Sequence, residues 1–173
     1  SDDHLAALRR GLAPAFEGAV DVVVHTGDLF DRSRPPARAV AEAAALFAEV
    51  ARAVPIVVMP GNHDRQGLRA HLPAPPAGLH VHDTPGAVPI AGIRLGVVPF
   101  FGRADAWGAA AKEACRGGVD LLLAHQAFDG ARVPGHTFRA GAEPDTVGAA
   151  QLPAGVRWIL CGHIHPRQAL RVG

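Results

Sequence analysis

The sequence predicts an α/β protein, and three observations carry that prediction. Apolar, β-rich runs recur at "VDVVVHTGD" (20–28), "VPIVVMPGNHD" (54–64), "GVDLLLAHQ" (118–126) and "RWILCGHIH" (157–165). Each is nearly continuous in Val, Ile and Leu, as strands buried on both faces are. Segments with helical spacing lie between them. Each run also breaks directly into Asp, Asn or His, at the strand end where open α/β sheets form their ligand crevice.

The elements follow in chain order. Leu5, Leu8, Leu12 and Phe16 have the spacing of a short helix that Pro14 must bend or end. After the first strand, Val40, Ala43, Phe47, Val50 and Val54 step by three and four, and Pro35 and Pro36 suit the first turn of that helix. Residues 20–59 are therefore a strand, helix, strand unit. From His71 to Gly92 the Pro-rich chain reads as loops around short strands, and "IAGIRLGVV" as a strand entered through a tight Ala-Gly turn. "ADAWGAAAKEACRGG" is a helix closing on Gly117 and Gly118. Asp129 to Gly155 is long, rich in Gly and Pro, and without period, the profile of a functional or disordered loop.

Length and composition narrow the class. The 173 residues suffice for one hydrophobic core, so 1–173 is expected to be a single domain. With 49% hydrophobic and 19% charged residues the chain is globular, and a net charge of +1 is no footprint of a dedicated nucleic-acid binder. The basic residues are 16 Arg and one Lys, Lys112; codon bias accounts for that excess more simply than phosphate binding does. Two cysteines, Cys115 and Cys161, are no disulfide framework and point to a reducing, cytoplasmic compartment. No apolar stretch reaches the roughly 18 residues of a membrane span, and no signal peptide is visible.

The strand ends gather Asp28, Asn62, His63, His125, His163 and His165, and "SDDHLA" adds Asp2 and His4. So many polar groups at one sheet edge are too many for packing, and the carboxylates are too few for calcium. Imidazoles mixed with two aspartates favour manganese, iron or zinc. Taken singly, several have plainer readings: Asp-x-His as a solvated turn, "GNHD" as a turn with Gly61 and Asn62 left-handed, and His125 as a satisfied core histidine. His63-Asp64 also mimics the metal-binding pair of the all-helical HD phosphohydrolases, but a Val/Ile strand precedes it here. "GHIH" is hardest to dismiss, since two imidazoles on one side of an extended segment repel unless something holds them.

Taken together, "SDDH", "GDLFDR", "GNHD", "AHQ" and "GHIH" resemble the calcineurin-like metallophosphoesterase superfamily, from Asp2 to His165. The resemblance implies a four-layer α/β/β/α sandwich with two mixed β-sheets and a centre of two divalent metal ions, manganese ahead of iron and zinc. Asp2, His4, Asp28 and His165 would hold one ion, and Asp28, Asn62, His125 and His163 the other, with Asp28 bridging. His63 would be the catalytic histidine and no ligand. The wording "GDLFDRSRPP" and "GIRLGVVPFFGR" leans toward the nuclease subunits of double-strand-break-repair complexes, which implies a phosphodiester substrate, DNA among them, and an ATPase partner subunit. By the same resemblance a strand would precede Ser1 and a capping domain would follow, so 1–173 is read as a core lacking both.

The activity this implies is phosphodiester hydrolysis by a hydroxide between two metals, with His63 donating a proton to the leaving group. A phosphomonoesterase or protein phosphatase is the second reading, and a silent protein-binding scaffold the third. Asp64 is expected to cap its turn in preference to orienting His63. Arg32, Arg65, Arg132, His136 and Arg139 are the candidate phosphate grips, with a solvated loop as the alternative for the last three.

Overall fold

The first strand, β1 (Val23–Thr26), runs parallel to β2 (Ile56–Met59), with Val23 beside Ile56 and Thr26 beside Met59. The computed structural model describes residues 2–64, 67–133 and 143–171, the side chains of 2–5 excepted. Helix α3 (Ala37–Ala53) joins the two strands, and β3 (Leu79–Val81) adds in parallel on the far side of β2. Two short helices, α1 (Asp2–Gly11) and α2 (Ala13–Phe16), precede them. The second sheet has the order β4 (Gly86–Ile90), β5 (Ile93–Val98), β6 (Leu121–Ala124), β7 (Ile159–Cys161), with α4 (Ala104–Ala114) between β5 and β6.

Alternation along the strands sorts side chains into layers. Ile56 and Val58 face α3, packing with Leu46, Phe47 and Val50, while Val57 and Met59 point the other way to meet Leu95, Val97 and Leu123 of the second sheet. Leu122 and Ala124 face α4 and its buried Trp107. The order is therefore helix, sheet, sheet, helix, the four-layer sandwich. Val57 and Met59 are fully buried at its centre. Burying a side chain of this kind stabilises by about 1.5 to 3 kcal/mol.

The sheets differ in one respect from two mixed sheets. The first is parallel throughout, because a helix or a long crossover returns each of its strands to the same end. Only the second is mixed: β4 and β5 are antiparallel across a two-residue turn, with Ala91 at φ 49° and Gly92 at φ 76°. Both central residues at positive φ match the twist of a hairpin.

Helix ends shift slightly from their sequence-based positions. Neither proline lies inside α3. Pro36 is its N-cap, with extended backbone at φ -58° and ψ 141°. Pro35, as the residue ahead of a proline, is itself kept away from helical ψ, so the helix cannot start there, and with Pro36 extended its first helical residue is Ala37. Pro14 sits in the first turn of α2, where its missing N–H costs nothing, and the break falls before it, between Gly11 and Ala13. Among the described residues no helix is long and apolar enough to cross a membrane.

Candidate metal centre

Because β1 and β2 are parallel, and β6 and β7 are parallel, the segments leaving them emerge at common edges. Those segments carry Asp28, Asn62, His125 and His163. His125 is the hub and is fully buried. Its Nδ1 lies 2.7 Å from the Thr26 carbonyl. A carbonyl can only accept, so Nδ1 carries the proton and Nε2 faces the site. Around Nε2 stand Asn62 Oδ1 at 3.0 Å, His163 Nδ1 at 3.1 Å and Asp28 Oδ2 at 3.2 Å.

This arrangement fits a cation. In neutral His125 the lone pair of Nε2 points toward a carboxylate oxygen and an amide oxygen, a convergence that a bound cation would relieve. Asp28, His125 and His163 each offer a donor atom within 4.8 Å of the others, and Asn62 adds a fourth. Burial, then the neighbouring His125, push the His163 imidazole below the ordinary histidine range, so it offers the neutral nitrogen a metal takes. Burial works against the charge of Asp28, yet hydrogen bonding to the adjoining His125 imidazole in its protonated form and to the His63 backbone N–H holds its carboxyl below the usual carboxylate range.

Glycines make this convergence sterically feasible. Gly27 lies at φ 97° and Asp28 at φ 55°. These two left-handed residues, the second a strained one, swing the carboxylate back over the strand end. A Cβ on Gly27 would strike the His125 ring, with its Cγ at 2.7 Å, and one on Gly61 would strike Asp28, with its backbone N at 2.5 Å. One on Gly162 would meet the Thr26 carbonyl oxygen at 2.5 Å. Each donor block opens on the glycine its neighbour presses against. The signal is present in the sequence as Gly-Asp, Gly-Asn and Gly-His, but the pressing residue is distant in the chain. The reading of "GNHD" as a left-handed turn fails, since neither Gly61 nor Asn62 has positive φ.

His63 is exposed at the rim. Its Nδ1 is 3.1 Å from the Asp31 carbonyl, which leaves Nε2 turned toward Asp28 Oδ2, 4.0 Å away. Its backbone N–H donates to Asp28 Oδ1 at 2.9 Å. Asp64 is buried, and its carboxylate accepts the backbone N–H groups of Leu29, Phe30 and Gly61 at 3.0 to 3.1 Å. It caps its own turn through Gly61, as expected, and through Leu29 and Phe30 it also ties the two donor loops together.

The remaining sequence candidates divide. His165 is exposed, two residues beyond His163, and outside the converged group. Asp2 and His4 have helical backbone in the first turn of α1, and their side chains lie outside the described residues. Arg65, His136 and Arg139 lie outside them altogether. Arg32 is exposed and forms a two-pronged pair with Asp31, at 2.9 and 2.7 Å, on the loop that holds His63. Arg132 is exposed, and its backbone N–H and carbonyl pair with the Gln168 side chain.

Two residues escaped the sequence reading. Gln126 is fully buried, a polar side chain beside a donor: its Oε1 accepts the Phe101 N–H at 3.0 Å and its Nε2 donates to the Phe101 carbonyl at 2.9 Å and to that of Asp145. Phe100, next to that clamp, packs its ring 5.6 Å from His163 and 6.4 Å from His125, centroid to centroid.

A four-layer sandwich whose strand ends bring an aspartate, an asparagine and two histidines to one point matches the calcineurin-like phosphoesterase family over residues 1–167, and the chain belongs to that family. Its class is that of metal-dependent phosphoester hydrolases. Over 64 residues the chain is 44% identical to the DNA double-strand break repair protein Mre11 of Thermoplasma acidophilum. That stretch is 36% of this chain and 17% of the relative.

Proposed function

We propose that this chain hydrolyses phosphodiesters at a dinuclear manganese centre. The observation that carries the proposal is the convergence of Asn62, Asp28 and His163 on Nε2 of His125, with Nε2 of His63 facing the same carboxylate. Asp28, Asn62, His125 and His163 would hold one ion, and Asp28, Asp2, His4 and His165 the second. Bound divalent ions supply Lewis-acid polarisation of the phosphoryl group and activation of water.

The chain's own residues do the rest. The Thr26 carbonyl fixes the His125 tautomer, and Asp64 holds the Asp28 and Asn62 loops in register. The Asp31 carbonyl keeps the first proton of His63 on Nδ1, so the proton available for transfer sits on Nε2, on the open side. His63 donates it to the departing oxygen, an effect typically worth about 10² to 10⁴ in rate. Arg32, and with it Arg65, Arg132, His136 and Arg139, would grip phosphate oxygens further along a substrate.

The partial identity with a DNA double-strand break repair protein supports DNA as the diester; the motif resemblance suggests an ATPase subunit as partner, and the two unpaired cysteines suggest a cytoplasmic setting. The test is a panel of bis-aryl phosphate, cyclic nucleotide, phosphomonoester, and single- and double-stranded DNA, each with manganese and with chelator. Manganese-dependent cleavage of diesters ahead of monoesters is expected. A monoester preference replaces the diester reading with a phosphatase, and absence of turnover with metal bound leaves a scaffold.

A further inference from the structure

The two histidines of the centre are mounted differently. The His125 ring is fixed by the Thr26 carbonyl. Among the described residues no backbone acceptor holds the His163 ring: its Nδ1 lies against Nε2 of His125, and the ring packs beside that of Phe100. The strand that delivers His163 gives it little support, since β7 has 3 residues and forms the edge of its sheet.

Phe100 closes a triangle with the imidazoles. Its ring centroid is 5.6 Å from that of His163 and 6.4 Å from that of His125, and the imidazole centroids are 4.9 Å apart. All three separations fall in the range over which aromatic rings attract one another. The triangle has a single anchor in Gln126, the residue after His125. Its buried side chain grips both backbone groups of Phe101. Its own backbone N–H and carbonyl both bond Sγ of Cys161, two residues ahead of His163. Both sides of the contact between Phe100 and His163 are thereby held to one residue. From this shared mount we infer that Phe100 is a positioning residue of the metal centre: it keeps the His163 ring turned toward His125, and Gln126 keeps Phe100 in place. Phe100 brings no donor atom, so it acts through the imidazole on which it packs. An imidazole held ready loses little rotational freedom when an ion arrives, whereas a free one must be ordered at each binding event. The inference rests on the metal-centre reading above and extends it to a side chain that is no ligand.

Calorimetric titration of the metal-free protein with manganese, together with nuclear magnetic resonance of its histidine rings, tests it. F100L keeps apolar bulk and removes the flat ring, so manganese affinity should fall roughly tenfold or more, the scale of a ligand's lost orienting contacts. F100Y and F100W keep a flat ring and should keep wild-type affinity. Before metal is added, the His163 ring signals should form one sharp set in the wild type and a broadened or doubled set in F100L. The His125 signals should be alike in both, because Thr26 holds that ring. Q126M retains the Phe100 ring and removes its mount, so it should move both readouts the same way by less; should that variant fail to fold, the Phe100 series decides. Wild-type affinity in F100L, or equal disturbance of His125 and His163, overturns the inference while manganese binding by the wild type leaves the metal centre standing. Failure of the wild type to bind manganese overturns that underlying reading instead.

Discussion

The His125 imidazole donates from Nδ1 to the Thr26 carbonyl across 2.7 Å, and this hydrogen bond spans the two sheets: Thr26 ends β1 and His125 follows β6. It orients the hub of the site without using any of the atoms that face the centre. A backbone acceptor of this kind fixes tautomer and ring plane together.

The proposed sharing of Asp28 between two ions predicts unequal mutants. Asp28→Asn should lower manganese stoichiometry at both sites, whereas Asn62→Ala should mainly weaken one. Equilibrium dialysis with metal analysis reads the difference, and an identical single-site loss in both variants removes the bridging role.

For His63 the expectation concerns leaving groups. His63→Asn should leave metal content and fold intact while turnover of a diester with a poor leaving group falls by about 10² or more. A nitrophenyl diester, which needs little protonation, should lose much less. Equal losses on both would point to charge stabilisation, and loss of metal would make His63 a ligand.

Asp64→Ala strands three N–H groups of two loops. Leaving a buried donor unsatisfied costs about 1 to 3 kcal/mol, so a drop in denaturation free energy of at least that size is expected, along with weaker metal binding. An unchanged urea midpoint would mean that water or neighbouring groups replace the carboxylate.

Gly27→Ala places a methyl group against the His125 ring at a backbone angle that alanine resists. Metal affinity should fall roughly tenfold or more, the scale seen when a ligand loses its orienting contacts. Calorimetry showing wild-type affinity would mean that the ring can move aside freely.

His25 gives a pH dependence. Its Nδ1 is buried without a hydrogen-bond partner, and burial, partly offset by Asp64, depresses its imidazole below the ordinary value of 6.5. The unfolded chain then binds this proton more readily than the folded one, so stability is full above the unfolded value and is lost as pH falls from there through the lower folded value. In metal-free protein the melting temperature of His25→Leu minus that of wild type should rise from about pH 7 to about pH 5. A constant difference over that range would show that His25 titrates alike in both states.

Most of the fold was legible because strands buried on both faces, as β2 and most of β6 are, leave unbroken Val, Ile and Leu runs, and because helix α3 repeats its apolar positions at a helical period. β1 is only half-buried, and β7 is an edge strand with Leu160 and the preceding Trp158 exposed, so for these two the run gave the strand but not its burial. The donors were legible for a related reason: polar residues that interrupt such runs at a strand's end need a purpose. What stayed hidden depends on contacts between distant segments. Nothing near Gln126 reveals that its amide clamps Phe101, and nothing near Gly162 reveals Thr26 behind it. Asp2 and His4 show a further limit: two acidic residues ahead of Leu5 and Leu8 also suit the first turn of a helix, and that is the backbone they adopt.

The hub hydrogen bond lies on a seam. Asp28 and Asn62 belong to the half of the chain that builds the first sheet, His125 and His163 to the half that builds the second, and the packing of Gly162 on Thr26 closes the joint. Each half supplies two of these four donors. Ion capture at these four residues would therefore report docking of the halves, and a bound ion would act as a rivet that slows their separation without adding to the strength of either sheet.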